Sequence, residues 1–156
     1  MAQRIEAQIQ VAVGVDVLWR TFAEEFRVTW PKVVPDIVVN VEIVEGDGGL
    51  GSLLFLQFKP GGPTVPYQNT KIVEMDNTKH QLGLEVVEGG HLSNGFTKYA
   101  TFFKLTGTGE HQTQVDIAVE CEPVLLEEPD LQAKTTDFPL LFFKCLENYL
   151  NTADAS

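Results

Sequence analysis

Glu45-Gly46-Asp47-Gly48-Gly49-Leu50-Gly51 places four glycines within seven consecutive positions, between two apolar segments. Before this stretch, residues 38–45 alternate around Val39, Val41 and Ile43, which predicts a strand with these three side chains on one face. After it, residues 52–58 form a second apolar run. Because glycine adopts backbone angles that other residues avoid, the stretch is predicted to be a tight connection between two strands.

A phosphate-binding loop is the alternative interpretation of the same glycines. A Walker-type loop ends in Gly-Lys-Ser/Thr, and its lysine reaches the phosphates, whereas here Gly51 is followed by Ser52-Leu53. A dinucleotide fold would also need a parallel βαβ unit after the loop, and the pattern indicates none. The glycines are therefore interpreted as structural.

Hydrophobic periodicity predicts the other strands and two short helices, all before residue 129. Strands are expected at residues 2–12, 66–75, 80–87, 96–106 and 114–121. The last of these strands should bury Val115, Ile117, Val119 and Cys121 on one face and leave the other face wet. A first short helix, with Asp16 as a candidate cap, is expected where apolar residues recur at helical spacing, at Val15, Leu18, Trp19, Phe22 and Phe26. A second is expected over residues 30–36, which prolines bound.

A long helix over residues 129–151, about 34 Å in length, is predicted at the end of the chain. Its apolar stripe is Leu131, Thr135, Phe138, Phe142, Cys145, Leu146 and Tyr149. Pro139 removes a backbone hydrogen bond, so it either bows the helix outward, is a kink that packing tolerates, or means that the helix starts only near Asp137. The order β-α-α-β-β-β-β-β-β-α predicts an α+β fold in which a curved, seven-stranded antiparallel sheet wraps around the long helix.

Length, charge and cysteine content limit the class of protein. The 156 residues carry a net charge of −11 that no Lys/Arg cluster offsets, so no nucleic-acid partner is expected. The polar first residues and the lack of a long apolar stretch predict no signal peptide and no membrane partner. Cys121 and Cys145 show no motif spacing, which suits the cytoplasm. One domain over residues 1–156, without a cofactor or a metal, is expected.

The whole pattern, from Ile5 to Leu150, resembles the plant PR-10/Bet v 1 family. Besides the element order, the resemblance rests on Trp30-Pro31-Lys32-Val33-Val34-Pro35, on the glycine stretch, on Val87-Glu88-Gly89-Gly90 and on Leu146-Glu147-Asn148-Tyr149-Leu150. Within the family, the chain is most similar to the cytokinin-specific or phytohormone-binding branch, through Pro66-Tyr67-Gln68 and residues 80–93 and 101–105.

The resemblance implies a START-like helix-grip fold with a hydrophobic cavity between the sheet and the long helix. The residues expected on this basis to bind a ligand are Gln68, Thr70, Phe142, Pro139, Phe22, Phe26, Leu54, Leu56, Leu82, Leu84, Tyr99, Thr101 and Phe138. Apolar stripes alone would predict that these side chains fill a solid core. The family favours a cavity.

Gln68 is the first candidate for ligand recognition, because its amide offers both donors and an acceptor. In the hormone-binding branch a glutamine at this position and a glutamate two residues later bind the ligand, but this chain has Thr70 at the second position. Phe142 and Pro139 stand where that branch has a tyrosine and a threonine. The resemblance therefore implies a binding protein for a small, largely apolar molecule such as a gibberellin or a cytokinin, as a monomer or weak homodimer.

An enzyme is the alternative within the same family. The Pictet–Spenglerase branch, typified by norcoclaurine synthase, uses a tyrosine, a glutamate, a lysine and an aspartate. The matching positions here are Gln68, Thr70, Leu82 and Thr101. None of these side chains is a general acid or base, so no catalysis is expected. Tyr67 should face the other side of its strand. A third alternative, a defence protein with ribonuclease activity, conflicts with the acidic charge.

Overall fold

A computed structural model describes residues 3–34, 38–58, 67–89, 98–122 and 131–154, with only the backbone at residues 3, 131–138 and 152–154. The seven strands are β1 Gln3–Val11, β2 Val38–Glu45, β3 Leu53–Phe58, β4 Tyr67–Asp76, β5 Gln81–Gly89, β6 Lys98–Gly109 and β7 Gln112–Glu122. They form one antiparallel sheet in the order β1-β7-β6-β5-β4-β3-β2. The helices are α1 Val15–Trp19, α2 Phe26–Val33 and α3 Leu131–Asp154. The predicted α+β fold is confirmed.

The glycine stretch connects β2 to β3 with the backbone angles that glycine allows. Gly46, Gly48 and Gly51 have φ of +93°, +96° and +86°. The Gly48 N–H donates to Ser52 Oγ at 2.9 Å, and a Cβ at Gly46 would collide with the same serine side chain. These glycines therefore serve the turn geometry, as the sequence predicted.

The two short helices join differently from the prediction. A π-helical turn, Arg20–Glu24, follows α1, and α2 begins at Phe26 instead of residue 30. Phe22, Phe26 and Trp30 keep one apolar face across this junction, so periodicity alone does not reveal the break. The Trp30 indole N–H donates to the Phe22 carbonyl at 3.1 Å and ties the turn to α2. Gly14, not Asp16, is the N-cap of α1; Asp16 lies in its first turn.

The helix α3 is continuous through Pro139, so the interpretation that it starts near Asp137 is wrong. Its buried stripe also differs from the prediction. Phe143, which was not assigned to the stripe, is 0% exposed, whereas Tyr149 is 36% exposed. The reason is that Phe143 packs against Phe22 and Phe103, with ring centroids 4.8 and 5.8 Å away, which turns this face of the helix toward the core.

Strand β2 contains a further departure from simple alternation. The register with β3 shifts between Val38 and Asn40, so Val38 pairs with Phe58 and Val39 has no direct partner there. Val38 is buried and Val39 is 48% exposed. The prediction that Val39 shares a face with Val41 and Ile43 is therefore wrong, because a bulge inserts one residue and reverses the side-chain phase.

Candidate functional site

The face of the sheet that looks toward the helices is identified by strand register, because directly paired residues point to the same side. Leu56, a core residue, pairs with both Val41 and Gln68, so Gln68 lies on this inner face. Ile72 pairs with Leu84, and Leu84 pairs with Thr101. By the same logic, these three residues lie on one face, the face that carries the core residue Ile72. We call this surface the inner face and its opposite the outer face.

The candidate residues on the inner face differ in how far they are covered. Gln68, Leu84 and Thr101 are half-buried, as is Pro139 on α3. The remaining candidates with described side chains are buried: Phe22, Phe26, Leu54, Leu56, Thr70, Leu82, Tyr99 and Phe142. Phe138 lies outside the residues whose side chains the structure describes. Tyr67 stacks on Phe55 with ring centroids 6.1 Å apart, on the face opposite to Gln68.

The half-buried pair Leu84–Thr101 lies between two separate apolar clusters. On one side, the pair Leu82–Phe103 belongs to the main core. On the other side is a second cluster of Ile5, Val86, Tyr99, Val119 and Cys121. The helix α3 runs against β1, β7 and α2. The inner face thus retains accessible surface between two packed regions.

The main core contains an aromatic cluster, and the sequence predicted only two of its members as candidate residues. Phe22 and Phe142 were candidates, and their ring centroids lie 5.9 Å apart. The structure adds three partners, which sequence periodicity placed in elements but did not bring together: Trp30, Phe103 and Phe143. These rings are buried, and their centroid separations are those of packed aromatic pairs.

Gln68 and Thr70 form a polar pair on the mostly apolar inner face. The Gln68 Nε2 donates to Thr70 Oγ1 at 2.9 Å. Thr70 is only 2% exposed, so this bond satisfies the hydroxyl oxygen in a buried place. The Gln68 carbonyl oxygen remains an acceptor, and the second N–H of the same amide, which this bond does not use, remains a donor. The pair can therefore present one acceptor and one donor to a ligand.

Tyr99 and Cys121 pair across β6 and β7 in the second cluster. Burial, with a smaller contribution from Cys121, raises the pKa of the Tyr99 phenol above its ordinary value, and burial also raises the pKa of the Cys121 thiol. Both groups are therefore neutral near pH 7, because removal from water disfavours their charged forms.

A concavity of about 410 Å³ lies mainly on the outer face, and none of the candidate ligand-binding residues lines it. Phe102 lines it together with charged side chains, among them the exposed ion pair of Arg4 with Glu120 at 2.7 Å. Such a polar, solvated surface is a poor match for an apolar ligand. Within the described residues, no group of His, Cys, Asp and Glu could hold a metal ion. Nor does a helix in that part of the chain have the length and apolar character to cross a membrane.

Comparison with curated proteins finds two plant synthases at low identity. Norbelladine synthase from Narcissus pseudonarcissus is 28% identical over 123 residues, which cover 78% of this chain and 76% of that protein. S-norcoclaurine synthase from Thalictrum flavum subsp. glaucum is 28% identical over 123 residues, 74% of this chain but only 55% of that protein. Because both relatives are enzymes, the expectation that this chain is not an enzyme has no support from them.

Comparison with solved structures and with family models agrees on the fold and the family. The X-ray structure of norcoclaurine synthase from Thalictrum flavum superposes with a TM-score of 0.79 over 97% of this chain and 88% of that one, at 24% identity, which shows the fold. A model of the pathogenesis-related protein Bet v 1 family matches residues 1–153. With the sheet, the helices and this match in agreement, the chain belongs to the Bet v 1 family.

Proposed function

We propose that residues 1–156 form one cytoplasmic plant domain that binds a small, largely apolar molecule on the inner face, without a cofactor. The ligand class that we propose is a phytohormone, a gibberellin or a cytokinin, or a related metabolite. The observation that carries the proposal is the polar pair Gln68–Thr70 beside the half-buried Leu84 and Thr101, on an otherwise apolar wall. Small-molecule sites typically combine such a wall with a few placed polar groups.

Binding on this surface would be driven by the burial of apolar ligand area, at about 25 cal/mol per Å² removed from water. The Gln68–Thr70 pair would fix the orientation, because a ligand edge that matches one acceptor and one donor replaces the water bound there. The residues proposed to line the ligand are those named from the sequence, with Gln68, Leu84 and Thr101 as the accessible members.

Titration calorimetry with a cytokinin and with a gibberellin tests this function. We expect saturable heat with at least one of them, and an affinity about three- to tenfold lower in Gln68→Ala, since one hydrogen bond is lost. Gln57→Ala is the matched control, because Gln57 is exposed and lies on the outer face of the neighbouring strand. Absence of binding by both hormones would contradict the hormone version of the proposal.

A condensing enzyme is the second candidate, favoured by the similarity to the two synthases. The residue types at the corresponding positions argue against an enzyme. The Pictet–Spenglerase branch has acid and base residues there, whereas this chain has neutral ones: Gln68, Thr70, Leu82 and Thr101. Incubation with dopamine and an aldehyde, followed by mass detection of the condensed product, separates the two functions. Turnover above the uncatalysed rate that Gln68→Ala abolishes would replace binding by catalysis as the function.

A further inference from the structure

The inner face of the sheet carries no charged side chain among the described strand residues. Register places every described Asp, Glu, Lys and Arg of the strands on the outer face. One outer row shows the separation: Arg4 pairs with Glu120, and Lys71 pairs with Glu85, while the described inner residues beside them are uncharged. The two inner groups that could ionise, Tyr99 and Cys121, are buried in the second apolar cluster.

The helical side of the same space is also neutral where its side chains are described. The described α3 side chains that are buried or partly buried near the core are all uncharged in type: Pro139, Leu140, Phe142, Phe143, Cys145, Leu146 and Leu150. The partly buried acid of this helix, Glu147, accepts a hydrogen bond from the Ala12 N–H at 2.6 Å and pairs with Lys144 at 3.5 Å. Its charge is thus already compensated. His80 lies against the Trp19 ring, with centroids 5.3 Å apart, in the turn between β4 and β5.

We propose that this site binds ligands only in their electrically neutral form, so that a carboxylic acid such as a gibberellin binds when it is protonated and an ammonium group is excluded; this inference rests on the proposed binding function. A charged group that enters the inner face loses its hydration and meets no counter-ion from the described residues. Beside Leu84, the described inner face offers two neutral polar contacts, the Gln68–Thr70 pair and the Thr101 hydroxyl, which suit a hydroxyl, a carbonyl or an amide of a ligand. The ligand class is therefore an apolar molecule with one neutral hydrogen-bonding edge.

A gibberellin and its methyl ester form the probe pair that tests this selection, because they differ in the charge of a single carboxyl group. Near pH 7.5 we expect the ester to bind at least about tenfold more tightly than the acid, since burial of an unpaired carboxylate is costly. Between about pH 8 and pH 6 the affinity of the acid should rise about tenfold per pH unit, because only its protonated form binds, while that of the ester stays constant.

Gln68→Lys supplies the missing counter-ion and should reverse the order, so that the acid binds more tightly than the ester. Gln57→Lys is the matched control: it makes the same change of charge on the outer face and should leave the order unchanged. Circular dichroism verifies that both variants fold. If Gln68→Lys does not fold, the acid–ester ratio and its pH dependence in the unmodified protein decide the question.

The outcomes separate this inference from the function on which it rests. Neutral selection is supported if the ester binds more tightly than the acid and the affinity of the acid depends on pH. Equal binding of acid and ester at every pH overturns the selection but leaves the binding function standing. Failure of both forms and of a neutral cytokinin to bind overturns the binding function, and the selection with it.

Discussion

Gly46 and Gly51 have similar positive φ angles but different surroundings, which separates backbone strain from steric collision. A Cβ at Gly51 would have no atom within 4 Å, whereas a Cβ at Gly46 would collide with Ser52. We expect Gly51→Ala to lower the free energy of unfolding by about 1–2 kcal/mol, the cost of the left-handed conformation. Gly46→Ala should cost more. Urea denaturation measures both, and equal costs would contradict the role assigned to Ser52.

Asp76 stabilises the turn between β4 and β5 through its charge. Its pKa is held below the ordinary 3.8, mainly by the backbone N–H of Lys79 and then by that of Thr78, each of which donates to Oδ1 at 2.9 Å. Because the folded pKa is the lower one, this contribution is present above the unfolded value and is lost as the pH falls through the folded value.

Asp76→Asn keeps an acceptor in this turn but removes the charge. We expect a lower Tm than that of the unmodified protein at pH 7, and a smaller loss of Tm on acidification below about pH 4. Glu110→Gln is the control, because the Glu110 side chain is 90% exposed and loses the same charge. An identical acid dependence in Asp76→Asn and the unmodified protein would show that the charge of Asp76 does not contribute.

At the scale of elements, the buried stripe of α3 depends on Phe143. We expect Phe143→Ala to lower the free energy of unfolding by about 3–5 kcal/mol, because a fully buried ring that contacts Phe22 and Phe103 is replaced by a cavity. Tyr149→Ala, from the stripe predicted by periodicity, should cost less than about 1 kcal/mol. Chemical denaturation compares the two, and a larger cost for Tyr149→Ala would reverse the assignment of the buried face.

The same elements show where local pattern reaches its limit. In strand β7, Val115, Ile117, Val119 and Cys121 are all buried, as predicted, whereas Ala118 on the face predicted to be wet is buried as well. In strand β2 the prediction is wrong at Val39. The bulge there arises from the pairing of β2 with β3, and the alternation of residues along β2 does not show it. The predicted bounds of the two short helices are wrong for a related reason, since the π-helical turn between α1 and α2 preserves the apolar face that periodicity detects.

At the scale of the whole molecule, the net charge of −11 sets the response to polyanions. We expect no retention of single-stranded RNA in a filter-binding assay even at low ionic strength, because the field of the protein repels phosphates and no basic cluster offsets it. Binding that weakens steeply with added salt would contradict this expectation and would revive the ribonuclease alternative.

The sequence by itself predicted the seven strands, the long helix and the glycine connection, because these follow from local periodicity and from residues with special backbone angles, and its resemblance to known proteins indicated the family. It also identified Gln68 and Thr70 as candidates. Only the tertiary structure decided which candidates keep accessible surface, that Gln68 donates to Thr70, and that Phe143 packs in the aromatic cluster. The reason is that coverage, pairing and register depend on neighbours distant in the chain, and no local pattern encodes them.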